Sequence, residues 1–306
     1  MAATQPFRIR SISHFHQLRG LPKPEHPLVS VVNFDDVKHP VEGEPQNLVA
    51  DYYSIALKRN FSPDLKYGYG QQEYDFDEGI MFFISPGQVF SVQSGGVYKV
   101  SGWMLLIHPD FLWNTSLAKK IKHYEYFNYS VNEALHLSDK EETMLTGIMQ
   151  NIAQEYHSNI DTFSQDVITA QIELMLAYSE RFYNRQFITR KITNHKILSR
   201  LEDILTDYFN SDNLEKEGLP TVQFIANALH VSPNYLSAML KMQTGQSTQQ
   251  HIHDKLIEKA KEKLSTTNLS ISEIAYTLGF EHSQSFSKLF RNKTNLSPLE
   301  FRQSFN

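Results

Sequence analysis

The chain contains IANALHV at residues 225–231 and, 49 residues later, the related stretch IAYTLGF at residues 274–280. Downstream of both stretches, residues of matching type recur at an offset of 50, such as Lys241 and Arg291. A chance agreement in type and order over so many positions is improbable. We interpret the two stretches as copies of one supersecondary unit, with one residue inserted in the turn of the second copy.

Each copy has the pattern of a helix, a tight turn and a second helix. Thr221 and Ser270 are predicted helix N-caps, and Ser270 with Glu273 has the spacing of a capping box. The chain must then reverse at Gly279, which adopts a left-handed conformation freely, and at His230, where the same conformation is strained. This spacing predicts two helix-turn-helix units, a pattern whose second helix enters the DNA major groove.

The segment between the copies, residues 247–264, is predicted to form one amphipathic helix. Its apolar residues recur at every fourth position, which places them on one face. At 1.5 Å per residue this helix is about 27 Å long, close to the ~34 Å turn of a DNA duplex. We therefore expect it to hold the two second helices in successive major grooves. The repeating residues are Ile252, Leu256, Ala260 and Leu264.

These residues also carry a resemblance to a known family. The run IAYTLGFEHSQSFSKLFRNKTNLSPLEFR at residues 274–302 closely resembles the signature of the AraC/XylS family of bacterial transcription regulators, and the likeness extends over residues 225–305. Asn295 replaces a glycine that is usual in the family, and asparagine also tolerates a left-handed turn. The resemblance implies a regulator whose partner is double-stranded promoter DNA. A small-molecule effector, a homodimer and contacts with RNA polymerase stay open.

By this resemblance, nine residues on the second helices of the two units are expected to meet DNA. Asparagine and glutamine suit adenine, lysine suits guanine, and alanine can contact the methyl group of thymine. Lys241 and Arg291 occupy equivalent places and are expected to contact phosphates. The predicted DNA-binding residues are Asn234, Ser237, Ala238 and Lys241 in the first unit, and Ser283, Gln284, Ser287, Lys288 and Arg291 in the second.

The N-terminal part, up to about Trp113, consists of short β-rich runs separated by turn residues. Such a pattern is typical of an antiparallel barrel or jelly roll, and residues 85–88 are similar to the family's cupin-like sensing domain. The runs are LVSVVNF, VADYYSIAL, GIMFFI, QVFSVQ and GWMLLI, with breaks at residues 67–70, 85–87 and 94–96.

This part of the chain is rich in aromatic residues, which could line a cavity for a small ligand or pack as an ordinary core. Both interpretations stay open at this point. The aromatic residues are Tyr52, Tyr53, Tyr67, Tyr69, Tyr74, Phe76, Phe82, Phe83, Phe90 and Trp103.

The hydrophobic period becomes helical from Ser138, which forms a predicted capping box with Glu141. A second helix is predicted over residues 162–185 and is apolar on more than one side. That feature indicates a helix at an interface or one inside a larger core. Its apolar residues include Val167, Ile168, Ile172, Met175, Leu176, Tyr178 and Phe182.

The predicted fold is therefore α+β with three parts. Residues 1–125 form a cupin-like β-barrel or jelly roll that senses an effector or mediates protein contacts. Residues 126–195 form a helical linker and dimerisation segment. Residues 196–306 form an all-α domain with two helix-turn-helix units that binds DNA.

Composition excludes several classes of site and protein. The chain has no cysteine, which excludes disulfides, thiolate zinc sites and a catalytic thiol. It has no apolar run near ~18 residues and no signal-like N-terminus, so a cytoplasmic protein without a membrane partner is expected. The net charge is −5 overall, but residues 221–306 contain nine Lys and Arg against six Asp and Glu. This distribution permits DNA binding without requiring it.

Two histidine pairs, His14 with His16 and His251 with His253, have the spacing of metal ligands on a strand. The second pair lies in a predicted helix, where residues two apart point in different directions, and the first has no carboxylate at ligand spacing. We therefore expect no metal, no cofactor and no enzyme. The alternative is a cupin-type enzyme with a helical appendage.

Overall fold

The computed structural model describes residues 6–38, 47–59, 79–91, 100–130, 133–158, 163–189, 191–211 and 213–304. Its internal contacts divide the chain into two compact units, residues 1–186 and 187–306. The predicted boundaries at 125 and 195 stay predictions. The predicted turns at 67–70 and 94–96, with Tyr74 and Phe76, lie outside the described residues.

The N-terminal unit contains two sheets. The three-stranded sheet has the order β1-β3-β6, and the five-stranded sheet has the order β2-β7-β4-β5-β8. The strands are β1 (Phe7–Ile9), β2 (Val29–Asn33), β3 (Asn47–Ala50), β4 (Tyr53–Arg59), β5 (Ile80–Ile84), β6 (Val89–Ser91), β7 (Ser101–Ile107) and β8 (Leu135–His136). The helices are α1 (Ile12–Leu18), α2 (Leu117–Lys120), α3 (Asp139–Tyr156) and α4 (Ser164–Thr189).

The five-stranded sheet is buried on both faces. On one face, residues such as Ala56, Phe82 and Met104 pack with Ile12 of α1 and Leu48 of β3. On the other face lies α4, whose Ser179 hydroxyl contacts the sulfur of Met81 in β5. Strands covered on both faces have continuous apolar sequences, which explains runs such as IMFFI.

The aromatic residues of the N-terminal unit that the structure describes are largely packed as core. Tyr52, Tyr53, Phe82 and Phe83 are buried, and the ring of Phe83 lies 4.6 Å from that of Tyr126. For these residues, the interpretation as ordinary core fits the packing.

One expectation for this unit is wrong, and the structure also shows which element carries the first histidine pair. The pairing is not antiparallel throughout, because β1 pairs with β3 in parallel. His14 and His16 lie on α1, whose N-cap is Ser11, and not on a strand. The buried His16 ring has hydrogen-bond contacts with the Pro22 carbonyl at 2.6 Å and the Ser30 hydroxyl at 2.9 Å, so it links α1 to neighbouring segments.

Helices α3 and α4 follow the sequence pattern closely. The capping box of Ser138 and Glu141 is present at the start of α3. Helix α4 begins and ends slightly later than predicted, and it buries one face while exposing another. The buried face includes Ile168, Ile172, Met175, Leu176 and Phe182, whereas Phe163, Val167 and Leu174 are exposed.

The C-terminal unit is all-α among its described residues. Its helices are α5 (Lys191–Asn210), α6 (Asn213–Glu217), α7 (Val222–Leu229), α8 (Pro233–Thr244), α9 (Thr248–Thr266), α10 (Ile271–Thr277), α11 (Ser283–Thr294) and α12 (Pro298–Gln303). The predicted connecting helix is α9, and its four apolar repeat residues are all buried. Helix α5 packs against α7 and α9, so the acidic segment that follows residue 202 belongs to this unit.

None of the helices in the described residues combines the length and apolarity that crossing a bilayer requires. Within the same residues, no three His, Asp or Glu side chains gather as a metal site would require.

Candidate nucleic-acid interface

The first helix-turn-helix unit consists of α7 and α8. The Thr221 hydroxyl accepts a hydrogen bond from the Phe224 amide, and the Ser232 hydroxyl accepts one from the Tyr235 amide. Pro233 occupies the first turn of α8, where its missing N–H costs nothing. His230 has φ of 58°, which is the left-handed conformation predicted for the turn. These local features set the angle at which α8 leaves α7.

The second unit consists of α10 and α11. The Ser270 amide donates to the Glu273 carboxylate at 2.7 Å, and the Glu273 amide donates to the Ser270 hydroxyl at 3.2 Å. The first of these bonds, to the backbone of Ser270, is the main reason why the pKa of Glu273 is lowered. The carboxylate thus stays charged at the N-terminus of α10, where the helix dipole favours it.

The turn of the second unit is close to another segment of the backbone. Gly279 has φ of +80°, and a β-carbon at this position would lie 2.8 Å from the Leu214 carbonyl oxygen and 2.9 Å from Gly218 Cα. Only glycine permits both the conformation and this approach. The turn between α10 and α11 is therefore held against the end of α6.

The exposed face of α11 contains Gln284, Lys288 and Arg291. These residues are four and seven positions apart, so they lie along one side of the helix. Phe286 and Phe290 lie on the opposite side and are fully buried. Ser283 and Ser287 are half-buried, and the Ser287 hydroxyl donates to the Ser283 carbonyl. The structure thus brings three of the five predicted residues of α11 onto one solvent-facing surface.

The corresponding face of α8 is less charged. Asn234, Ala238 and Lys241 have the same spacing as the three residues of α11, but only Lys241 is exposed and the others are half-buried. Ser237 is also half-buried, and its hydroxyl lies 3.0 Å from the Thr248 hydroxyl. That contact directs Ser237 towards α9, so a role in reading bases would require the contact to open.

The charge on the C-terminal unit is nearly balanced. Residues 187–306 contain fourteen Lys and Arg against twelve Asp and Glu. Attraction for a polyanion therefore depends on where the cations lie rather than on their number. Neither Lys241 nor Lys288 forms an ion pair with an acidic side chain in the part of the chain that the structure describes. Both ammonium groups can therefore meet an external anion.

Three residues that the sequence did not single out meet where α8 and α11 end. The Asp254 carboxylate on α9 accepts hydrogen bonds from Gln246, just beyond α8, and from Lys293, in the last turn of α11. Gln246 and Lys293 are 8 and 39 residues away from Asp254 in the chain. Gln246 lies outside α9 and Lys293 lies on another helix, so no pattern within one element could have indicated this cluster.

Comparison with known proteins identifies the C-terminal unit. Residues 225–304 match a family model described as a helix-turn-helix domain. The HTH-type transcriptional activator RhaS of Escherichia coli (strain SMS-3-5) is 29% identical over 157 residues, which are 51% of this chain and 52% of that protein. The protein of the same name from Escherichia coli O81 (strain ED1a) is 25% identical over 257 residues, covering 76% of this chain and 87% of that protein. Apart from this longer alignment, the chain spans about half the length of these curated relatives.

A solved structure of a transcriptional regulator of Chromobacterium violaceum, described as containing an AraC-type DNA-binding domain, is 23% identical. The match covers 37% of this chain and 96% of that structure, with a TM-score of 0.33. The matched domain and the relatives agree with the duplicated units described above. Residues 225–304 thus form a helix-turn-helix domain, and the chain is similar to the HTH-type transcriptional activator RhaS.

Proposed function

We propose that the chain is a transcription regulator that binds promoter DNA in a sequence-specific manner, with α8 and α11 in successive major grooves. The observation that carries this proposal is the shared exposed face of Gln284, Lys288 and Arg291 on α11. A helix with an exposed polar face and a buried aromatic face can enter a groove without losing its own core.

The proposed roles follow from the chemistry of each side chain. Gln284 is suited to adenine and Lys288 to guanine, whereas Lys241 and Arg291 contact phosphates. The remaining predicted DNA-binding residues have only short side chains with which to contact bases. They are Asn234, Ser237, Ala238, Ser283 and Ser287. In this proposal α11 selects sequence more strongly than α8, because its exposed face has longer side chains that can reach base edges.

Selection of tight binders from a pool of randomised duplexes tests this function with the full chain. We expect an enriched site with two blocks whose centres are one helical turn, about 10 base pairs, apart. The block contacted by α11 should have the higher information content. A single block, or no enrichment over the starting pool, would contradict the proposal.

Replacing Arg291 with alanine should weaken binding to all duplexes by a similar factor. A phosphate contact has no sequence information, and its loss should reduce the slope of log affinity against log salt by about 1. Titration of a specific and an unrelated duplex at several salt concentrations measures both effects. A change confined to the specific duplex would instead assign Arg291 to base contact.

For the N-terminal unit we propose a cupin-like sensing role and homodimerisation through the helical segment. The exposed side of α4 supports the second part. Phe163, directly before α4, is exposed, as are Val167, Ala170, Leu174 and Ala177 on the helix. Their intervals of four and three residues form a heptad pattern, which is typical of a helix that pairs with another helix. A small-molecule effector and contacts with RNA polymerase stay predictions.

Replacing Leu174 with glutamate should raise the dissociation constant of the dimer by about tenfold or more, because a charge would be buried at the seam. Sedimentation over a range of protein concentrations measures this constant. Glu180→Ala is the control, since Glu180 is exposed on α4 but lies off the stripe. A wild-type chain that stays monomeric, or a Leu174→Glu variant that dimerises normally, would exclude this interface.

A further inference from the structure

One carboxylate connects the ends of the two helices that are proposed to enter DNA. Asp254 Oδ2 accepts a hydrogen bond from Gln246 Nε2 at 2.8 Å, and Asp254 Oδ1 accepts one from Lys293 Nζ at 2.7 Å. Each oxygen of this carboxylate thus binds a different structural element. Charge-assisted hydrogen bonds of this length are stronger than those between neutral groups.

Helix α8 is attached to α9 at several points besides Gln246. The Thr244 hydroxyl, in the last turn of α8, lies 2.9 Å from His251 Nε2. Closer to the start of α8, the Ser237 hydroxyl contacts the Thr248 hydroxyl. Because α8 is held to α9 in this way, the position of α9 determines the position of α8.

Helix α11 is joined to the same region of α9 through its last turn. The Lys293 side chain is 28% exposed and that of Asp254 is 43% exposed, so solvent screens the pair only in part. His253 lies beside both, and burial, followed by the charge of Lys293, lowers its pKa. The imidazole is therefore neutral at neutral pH and adds no second positive charge next to Lys293.

We propose that Asp254 is a positioning residue that sets the placement of α8 relative to α11, and hence the spacing between the two blocks of the DNA site. This inference rests on the proposed function. The rod-like α9 limits the distance between the two units, but it does not by itself prevent α11 from shifting or rotating against α9. The short side chain of Asp254 is hydrogen-bonded to Gln246 and to Lys293, and these two bonds oppose that movement.

The spacing profile of DNA binding tests this role in the full chain. Duplexes carry the selected site with zero, one or two base pairs added or removed between its blocks. The wild type should show a sharp optimum. Asp254→Ala should bind about threefold to tenfold more weakly at the optimum and should lose less affinity when the spacing changes. Asp254→Asn should lie between the two, since its amide oxygen can still accept one of the bonds.

Two further variants separate loss of the hydrogen-bonded bridge Gln246–Asp254–Lys293 from a general effect of removing a charge. Lys293→Met should reproduce the flattened profile, and the double variant should be no weaker than either single one because both remove the same bridge. Glu258→Gln is the matched control, since Glu258 is a more exposed carboxylate on α9 paired only locally with Lys255. Thermal unfolding of each variant shows whether the C-terminal unit has stayed folded.

The opposing outcomes are distinct. An unchanged spacing profile in a folded Asp254→Ala variant would overturn the proposal. A gain in affinity at every spacing, with a steeper salt dependence, would show that Lys293 is a phosphate contact that Asp254 merely restrains. If the proposed function itself were wrong, the wild-type chain would bind no duplex in a sequence-specific manner, and this would be seen before any variant is compared.

Discussion

Replacing Gly279 with alanine is expected to destabilise the C-terminal unit by about 2–4 kcal/mol. The left-handed conformation strains any residue with a β-carbon, and here the new methyl group would also collide with the Leu214 carbonyl and Gly218. These neighbours are backbone atoms, so the collision cannot be relieved by rotating a side chain. The turn would have to move away from α6, and α11 would move with it.

Equilibrium unfolding in denaturant measures the effect, with His230→Gly as the matched control. His230 occupies the left-handed position of the first turn with φ of 58°, so glycine there removes strain while adding flexibility. That variant should differ from the wild type by less than about 1 kcal/mol. A Gly279→Ala variant as stable as the wild type would mean that the turn is not held as closely as described.

Replacing Lys288 with alanine is expected to cost about 1–3 kcal/mol on the specific site, or roughly 5-fold to 150-fold in affinity. The Lys288 ammonium group lies on the exposed face of α11, with no acidic side chain of the described residues within ion-pair distance. Its proposed guanine contact would be lost, and the preference at that one base pair should relax. Binding to unrelated sequences should fall far less.

Titration of duplexes with all four base pairs at the affected position measures this preference. Lys140→Ala removes the same formal charge from an exposed site on α3 and should leave the preference intact. Arg291→Ala provides the second comparison, because it should weaken all four duplexes alike. If Lys288→Ala did the same, Lys288 would be a phosphate contact and the assignment of guanine would be wrong.

Features that depend on neighbours in the chain could be predicted from the sequence. The capping box of Ser270 with Glu273 and the left-handed turns at His230, Gly279 and Asn295 all occur as expected. Each depends on the conformational preference of one residue and on hydrogen bonds within a few positions. The duplication of the unit was likewise visible in the sequence, because both copies repeat the same local signals.

Most of the N-terminal strands could be located from the sequence, but β1 and β8 lie in none of the predicted runs, and the arrangement of the strands could not be predicted. Alternation and turn residues indicate where a strand begins and ends, whereas the partner of each strand depends on contacts distant in the chain. The parallel pair of β1 and β3 is such a case. So is His16, whose spacing from His14 suits a strand but whose ring is held on α1 by Pro22 and Ser30.

The sequence by itself therefore determined that this chain has two helix-turn-helix units and which residues end their helices. Only the tertiary structure decided that Gly279 lies against Gly218 and that Asp254 joins Gln246 to Lys293. The physical reason is the range of the interactions. Caps and turns form between residues a few positions apart, while these contacts form only after the helices have packed.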